Sequence, residues 1–244
     1  GYYIDRTSGH ILLLIGEEIH DLTRQTQCNH LLVFGAQKEL APLASNPQDL
    51  IDSVNEAGGL CFLAHPFEIA APAIGEPDTI PWKNWDVNGY CGIELWNYMS
   101  EFKGLLKSKA DALRYAYYPE HGIKGPFPDT LRKWDDLLAM GRKVVAIGNS
   151  DAHGNTYSMG PFSRCVFPYE FLYRAVNTHI LLEHNLTGDA QEDQAAIYKA
   201  LRQGHCFVGY DQPHPTRGFR FTAQGEQGEV CMGDEIKTGP GITL

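Results

Sequence analysis

No apolar run in these 244 residues approaches the ~18 needed to cross a bilayer as a helix, so no membrane span is expected. No two of the six cysteines, at 28, 61, 91, 165, 206 and 231, stand in CxxC spacing. Most sit in apolar contexts such as Leu60-Cys61-Phe62 and Cys206-Phe207-Val208. They read as buried free thiols in a reducing compartment, since disulfide frameworks belong to much smaller secreted domains. A cytoplasmic location is the expectation. Positive charge is also scarce. Lys and Arg total 20 against 30 Asp and Glu, for a net charge of -10, and the cations form no run. That disfavours non-specific binding to a nucleic-acid backbone. Small anionic substrates stay open, because bound cations invert a local field. The chain begins at Gly1 without Met and ends Gly239-Pro240-Gly241-Ile242-Thr243-Leu244, as a strand begins. Both ends are expected to be cuts through a longer protein, so the lack of a signal peptide carries no information.

What is present suffices for a core: 43% of residues are hydrophobic and 20% charged. The first two-thirds alternates short apolar runs with helical patterns, the mark of βα units. Residues 46–57 read as a helix capped by Asn46, with Pro47 in the first turn and a stripe of Leu50, Ile51, Val54 and Ala57. The strand Leu60–Ala64 follows. Residues 129–140 repeat the plan, with Asp129 as cap, Leu131, Trp134, Leu137 and Leu138 as stripe, and then the strand 144–149. A further helix covers roughly 101–116, after the strand 92–96. Segments 66–90 and 117–128 read as long loops, either lids or packed excursions. Beyond Pro161, helical patterns run over 169–185 and 192–203. A β-hairpin flanks Gly225-Glu226-Gln227-Gly228, within a β-rich extension over 209–244.

Five potential metal ligands lie at or just past the ends of apolar runs. Glu18 follows Ile11–Gly16, His65 closes Leu60–Ala64, Asp151 and His153 close 144–150, and His30 opens Leu31–Gly35. Asp151 and His153, two apart in an extended segment, point the same way and can reach one ion. Their oxygen and nitrogen suit Zn, Mn or Fe better than Ca. Pro66 is expected to hold His65 extended and aim its ring from the rim. A carboxylate at Glu18 can bridge two cations. His30 precedes its strand, so position alone supports it least; His20, two past Glu18, ranks below it. Glu94 and Asn97, at another strand end, read as supporting or substrate-facing groups.

Two patterns are decoys. Gly148-Asn149-Ser150-Asp151-Ala152 mimics a nucleophile elbow, but the Gly/Ser/Pro-rich continuation is a poor helix. His179-Ile180-Leu181-Leu182-Glu183-His184 mimics a zincin helix, but its two histidines at i and i+5 do not share a helical face.

The ordered set Gly16-Glu17-Glu18-Ile19, His30-Leu31-Leu32-Val33-Phe34-Gly35, Ala64-His65-Pro66 and Asn149-Ser150-Asp151-Ala152-His153 resembles the polymerase and histidinol phosphatase (PHP) family. The tail 200–209 and Gly233-Asp234-Glu235-Ile236 is similar to the carbaryl-hydrolase-like branch of that family. The resemblance implies a distorted (β/α)7 TIM-like barrel of α/β class over 1–208, its first strands missing. It implies two or three divalent ions, Zn, Mn or Fe, on Glu18, His30, His65, Asp151 and His153. It implies a metal-activated water that hydrolyses esters, phosphoesters first, with His65, Asp151 and His153 catalytic. The family's His-x-His motif and its later Asp-His segment are expected upstream of Gly1, since neither occurs in these residues. Arg164, in the loop after His153, is the candidate to orient an anionic substrate. Carbamate or carboxyl-ester hydrolysis on the same ions is the alternative. A third reading is a decayed barrel kept as a binding or regulatory module. The expected partner is a small ester or phosphoester.

Overall fold

The computed structural model describes residues 1–244 apart from Ser8, Gln227 and Thr238. The chain opens with a hairpin of β1 (Tyr2–Arg6) and β2 (Gly9–Leu13). Then come β3 (Gly16–Ile19), β4 (Leu31–Phe34), α1 (Pro47–Glu56), β5 (Leu60–Leu63) and β6 (Gly92–Asn97). Helices α2 (Tyr98–Leu105), α3 (Lys109–Tyr117) and α4 (Pro128–Ala139) lead to β7 (Val145–Asn149). A small hairpin, β8 (Thr156–Met159) and β9 (Phe162–Cys165), precedes α5 (Tyr169–Leu172). The rest is β10 (Val176–Ile180), α6 (Ala190–Gln203), β11 (Cys206–Tyr210), β12 (Thr222–Gly225) and β13 (Gly228–Cys231). The tip of the expected β12–β13 hairpin includes Gln227, outside the described residues. Among the described residues no helix is long and apolar enough to cross a membrane.

Strands β3 to β7 form one five-stranded sheet in that order. β3, β4 and β5 pair antiparallel, whereas β5, β6 and β7 pair parallel. Period-two alternation sends side chains to both faces. Leu31, Val33, Cys61, Leu63 and Ile93 pack with Leu50, Ile51 and Val54 of α1 and Leu137 of α4. Leu60, Phe62, Val145 and Ile147 pack on the other face, with Tyr198 and Leu201 of α6 beside them. A further cluster, built on Trp96, Tyr98 and Phe102 with Phe167, Leu172 and Val176, closes one end. Each fully buried aliphatic side chain here contributes about 1.5–3 kcal/mol. The long segment after β5 is a packed excursion, since its Trp82, Val87 and Tyr90 are buried in the first of these clusters.

The expected (β/α)7 barrel does not form. A barrel needs a continuous ladder that closes on itself, and among the described residues the ladder stops at both ends. β3 is an edge strand. Beyond β7 the next strands, β10 and β11, make their own antiparallel pair. They meet β7 through a side chain: the Gly148 N–H donates to Thr178 Oγ1 at 2.9 Å, and that hydroxyl donates back to the Gly148 carbonyl at 2.8 Å. Only two of the four strand junctions in the sheet are parallel, so the βα rhythm overstates the number of barrel units.

Local expectations divide in the same way. Asn46 caps α1, its Oδ1 accepting from Gln48 N at 3.2 Å. Asp129 does not cap α4; Phe127 holds that position without a side-chain bond. The expected 101–116 helix is two helices, because Leu106 leaves helical geometry and Ser108 starts α3 by accepting from Asp111 N at 3.1 Å. The expected 169–185 helix ends at Leu172, and Val176-Asn177-Thr178-His179-Ile180 is a strand. Its β-branched residues fit the ladder with β11 better than a helix.

Glu101 of α2 carries a pH prediction. Burial pushes its carboxyl up to about 8, only partly offset by a backbone hydrogen bond at Phe127. Released by unfolding, it ionises near 4.5, so the unfolded chain gives up a proton that the folded chain keeps. Stability from this group therefore falls as pH rises from 4.5 and levels off above about 8. Glu101→Gln should flatten that decline; thermal melts at both ends of the window will measure it.

Candidate metal centre

The antiparallel register of β3 and β4 builds the site. Ile19 lies opposite Leu31, so the next pair outward is His20 opposite His30. The two rings stack at 4.1 Å between centroids and 13° between planes. Glu18, two residues before His20, shares its face. β5 lies on the other side of β4, and the Ala64 N–H donates to the His30 carbonyl at 3.0 Å, which brings His65 to the same end.

Glu18 joins the two imidazoles. Its Oε1 lies 2.6 Å from His30 Nδ1 and 3.0 Å from His65 Nε2. One ligand atom each from Glu18, His30 and His65 falls within 4.8 Å of the others. His65 Nδ1 donates to the Ile80 carbonyl at 3.0 Å. That bond fixes the tautomer and turns Nε2 toward the cluster, the usual outer support of a ligating histidine. Ile80 is itself held by Glu68, which accepts from its N–H at 2.8 Å. Glu68 carries no sequence signal, because it acts through a loop carbonyl 12 residues away. Two ring nitrogens, His30 Nε2 and His20 Nδ1, are buried without a hydrogen-bond partner. His30 turns Nδ1 to Glu18, so its Nε2 lies on the far edge of the ring. The fit to a cation rests on the donor set, one carboxylate and two imidazoles within reach of one another, which suits Zn, Mn or Fe.

The electrostatics fit the same picture. Burial raises Glu18, but its hydrogen bonds with His30 and His65 outweigh it and hold the carboxyl well below the usual range. Burial lowers His65, yet Glu18 and Glu94 together push it up to about 9. Burial and the His30 ring lower His20. The proton that His65 holds thus lies where a cation on these three residues would bind.

Pro66 does not hold His65 extended. His65 has φ +24° and Asp151 has φ +49°. Such conformations cost on the order of 1–3 kcal/mol each and persist only where neighbours impose them. Here the His65 N–H donates to Glu94 Oε2 at 2.6 Å, and the Asp151 N–H donates to Asn149 Oδ1 at 2.8 Å.

Asp151 and His153 stand outside the Glu18 group. Asp151 is linked to it indirectly. Asn97 Nδ2 donates to Asp151 Oδ2 at 3.3 Å and to both Glu94 oxygens at 3.2 Å, and Glu94 holds His65. Burial, with Asp151 adding to it, pushes Glu94 up to about 7 even though His65 pulls it down. The His153 side chain is 59% exposed, with Nδ1 donating to the Asp151 carbonyl at 2.8 Å. Asp151, His153, Tyr157 and Arg164 line a cleft of about 830 Å³. Arg164 is fixed at its wall: Nε donates to the Ala116 carbonyl at 2.8 Å, and the guanidinium lies 4.3 Å over the Tyr117 ring.

Both decoys are resolved. Ser150 is buried and donates to the Leu172 carbonyl, and no helix follows it. Ser150→Ala should cost about 1 kcal/mol of stability for the lost hydrogen bond and, if a metal performs hydrolysis, keep kcat/KM within about twofold. Steady-state kinetics and urea unfolding will check both. His179 lies on β10 and pairs with Asp211 at 2.8 Å, so no zincin helix exists. All six cysteines are free thiols. The sequence matches no family model and no curated protein.

Proposed function

We propose that this protein is a metal-dependent hydrolase with the ligand order of the PHP family, acting on phosphoesters. The observation that carries the reading is the convergence of Glu18, His30 and His65 from separate sheet positions, with one ligand atom of each within 4.8 Å of the others. One carboxylate and two imidazoles are a donor set for Zn, Mn or Fe. Such an ion supplies Lewis-acid polarisation and acidifies a water toward pKa about 7.

The chain's own groups have distinct tasks. Glu18 neutralises charge between the two rings, and the Ile80 carbonyl orients His65. Glu94 and Asn97 couple the placement of His65 to that of Asp151. Asp151 and His153 present an oxygen and a nitrogen to the cleft, the donor types that a second ion takes. Arg164 supplies a fixed positive charge in the lining of that cleft, suited to a phosphoryl oxygen.

The test is turnover of an aryl phosphate, an aryl carbamate and a carboxyl ester, with and without chelator. Phosphate ester hydrolysis that chelator abolishes and Zn, Mn or Fe restores is expected. Chelator-insensitive turnover would sink the metal reading, and metal-dependent turnover of the carbamate or carboxyl ester alone would replace the phosphoester one.

A further inference from the structure

A second group of potential ligands forms at the other end of the molecule, where two glycines touch. A Cβ added at Gly233 would lie 2.4 Å from the carbonyl carbon of Gly204. Both residues have positive φ, +80° for Gly204 and +92° for Gly233. Close approach and left-handed backbone together require glycine at both places. Gly204 ends α6 in a left-handed cap, and Gly233 lies in the turn after β13.

The residue after each glycine carries chemistry. His205 Nε2 lies 2.8 Å from Asp234 Oδ1. The other carboxylate oxygen accepts from the Cys231 N–H at 3.1 Å, and the Asp234 N–H donates to the Cys231 carbonyl at 3.1 Å. That tight turn folds Cys231 back beside the pair. One ligand atom each from His205, Cys231 and Asp234 lies within 4.8 Å of the others.

We propose that His205, Cys231 and Asp234 form a second metal site that takes zinc. Sulfur, imidazole nitrogen and carboxylate oxygen are the three donor types zinc uses, and sulfur discriminates against Mg and Ca. Three protein ligands leave the fourth tetrahedral position for water or an exogenous donor. Asp234, 39% exposed, keeps that side open to solvent. The bound ion ties β13 to the end of α6. The inference is independent of the Glu18 centre, which contains no sulfur.

Cobalt(II) separates the two sites. Metal-stripped protein titrated with cobalt(II) should develop a near-ultraviolet thiolate-to-cobalt charge-transfer band. Zinc should displace it, Cys231→Ser should remove it, and His205→Gln should weaken cobalt binding at least tenfold. Cobalt binding without that band overturns the proposal, as does a band that survives in Cys231→Ser. A second measurement uses the unaltered chain. Zinc should protect Cys231 from alkylation, read by peptide mass mapping; equal labelling of Cys231 with and without zinc means that His205 and Asp234 form a plain hydrogen-bonded tie.

Discussion

Replacing His65 by alanine is expected to lower kcat/KM for the preferred ester roughly thousandfold, because Lewis-acid stabilisation is worth several kcal/mol and each 1.4 kcal/mol is a decade. The fold should survive it. The bond that sets the local backbone runs from the His65 N–H to Glu94 and is kept in the variant. Glu18 keeps its bond to His30. What disappears is the ring nitrogen aimed at the cluster. Divalent-ion affinity, measured by titration calorimetry, should fall in parallel with activity. Glu18→Gln provides a second reading: it retains the side-chain shape but removes the charge between two imidazoles, and it should weaken metal binding without unfolding the protein. Wild-type ion affinity and turnover in both variants would place the chemistry elsewhere.

Gly92→Ala should be the most damaging small substitution in the sheet. A Cβ there would sit 1.9 Å from the Val145 carbonyl oxygen and 2.7 Å from its carbon, with Phe62 Cδ1 at 3.0 Å. Gly92 is paired with Phe62 on one side and Val145 on the other, so the strand has no free side to move toward. Overpacking against yielding side chains costs about 1–3 kcal/mol. Here the obstacle is backbone, so the loss should reach the upper end of that range or exceed it. For a chain of this size, 3 kcal/mol corresponds to a melting point lower by roughly 6–12 °C. Urea denaturation and a thermal melt will measure it. Activity should fall too, since Asn97 and Asp151 stand at the far ends of the two strands that must separate. A variant as stable as the parent would mean that β6 and β7 do not meet at this register.

Some helix limits with local causes are legible in the sequence, though the starts of α3 at Ser108 and of α4 after Phe127 are not among them. Asn46 and Pro47 open α1 and Gly204 ends α6, because caps and glycine act within a turn or two. Strand direction is not legible. An apolar run reads alike in a parallel or antiparallel partner, and α1 lies between β4 and β5, which are antiparallel. That is how a βα rhythm suggests a barrel that the chain does not close. The β10 segment misleads for another reason: its pairing with β11, about 30 residues later, overrides a helical pattern. At the site, the place of His65 follows from its position just past the apolar strand β5. Glu18 does not close a strand: the run before it splits, with Ile11 and Leu13 in the separate β2 and Ile15 exposed, and Glu18 lies within β3. The approach of His30 depends on the β3–β4 register and needs either the resemblance or the structure. The separation of Asp151 and His153 from that trio, and the His205–Cys231–Asp234 group, depend on tertiary contacts that no spacing records.

Anomalous diffraction from crystals of the zinc- or manganese-loaded protein, recorded on both sides of the metal edge, tests the central claim most directly. A peak among Glu18, His30 and His65 is predicted. Loaded, hydrolytically active protein with no peak there would contradict it.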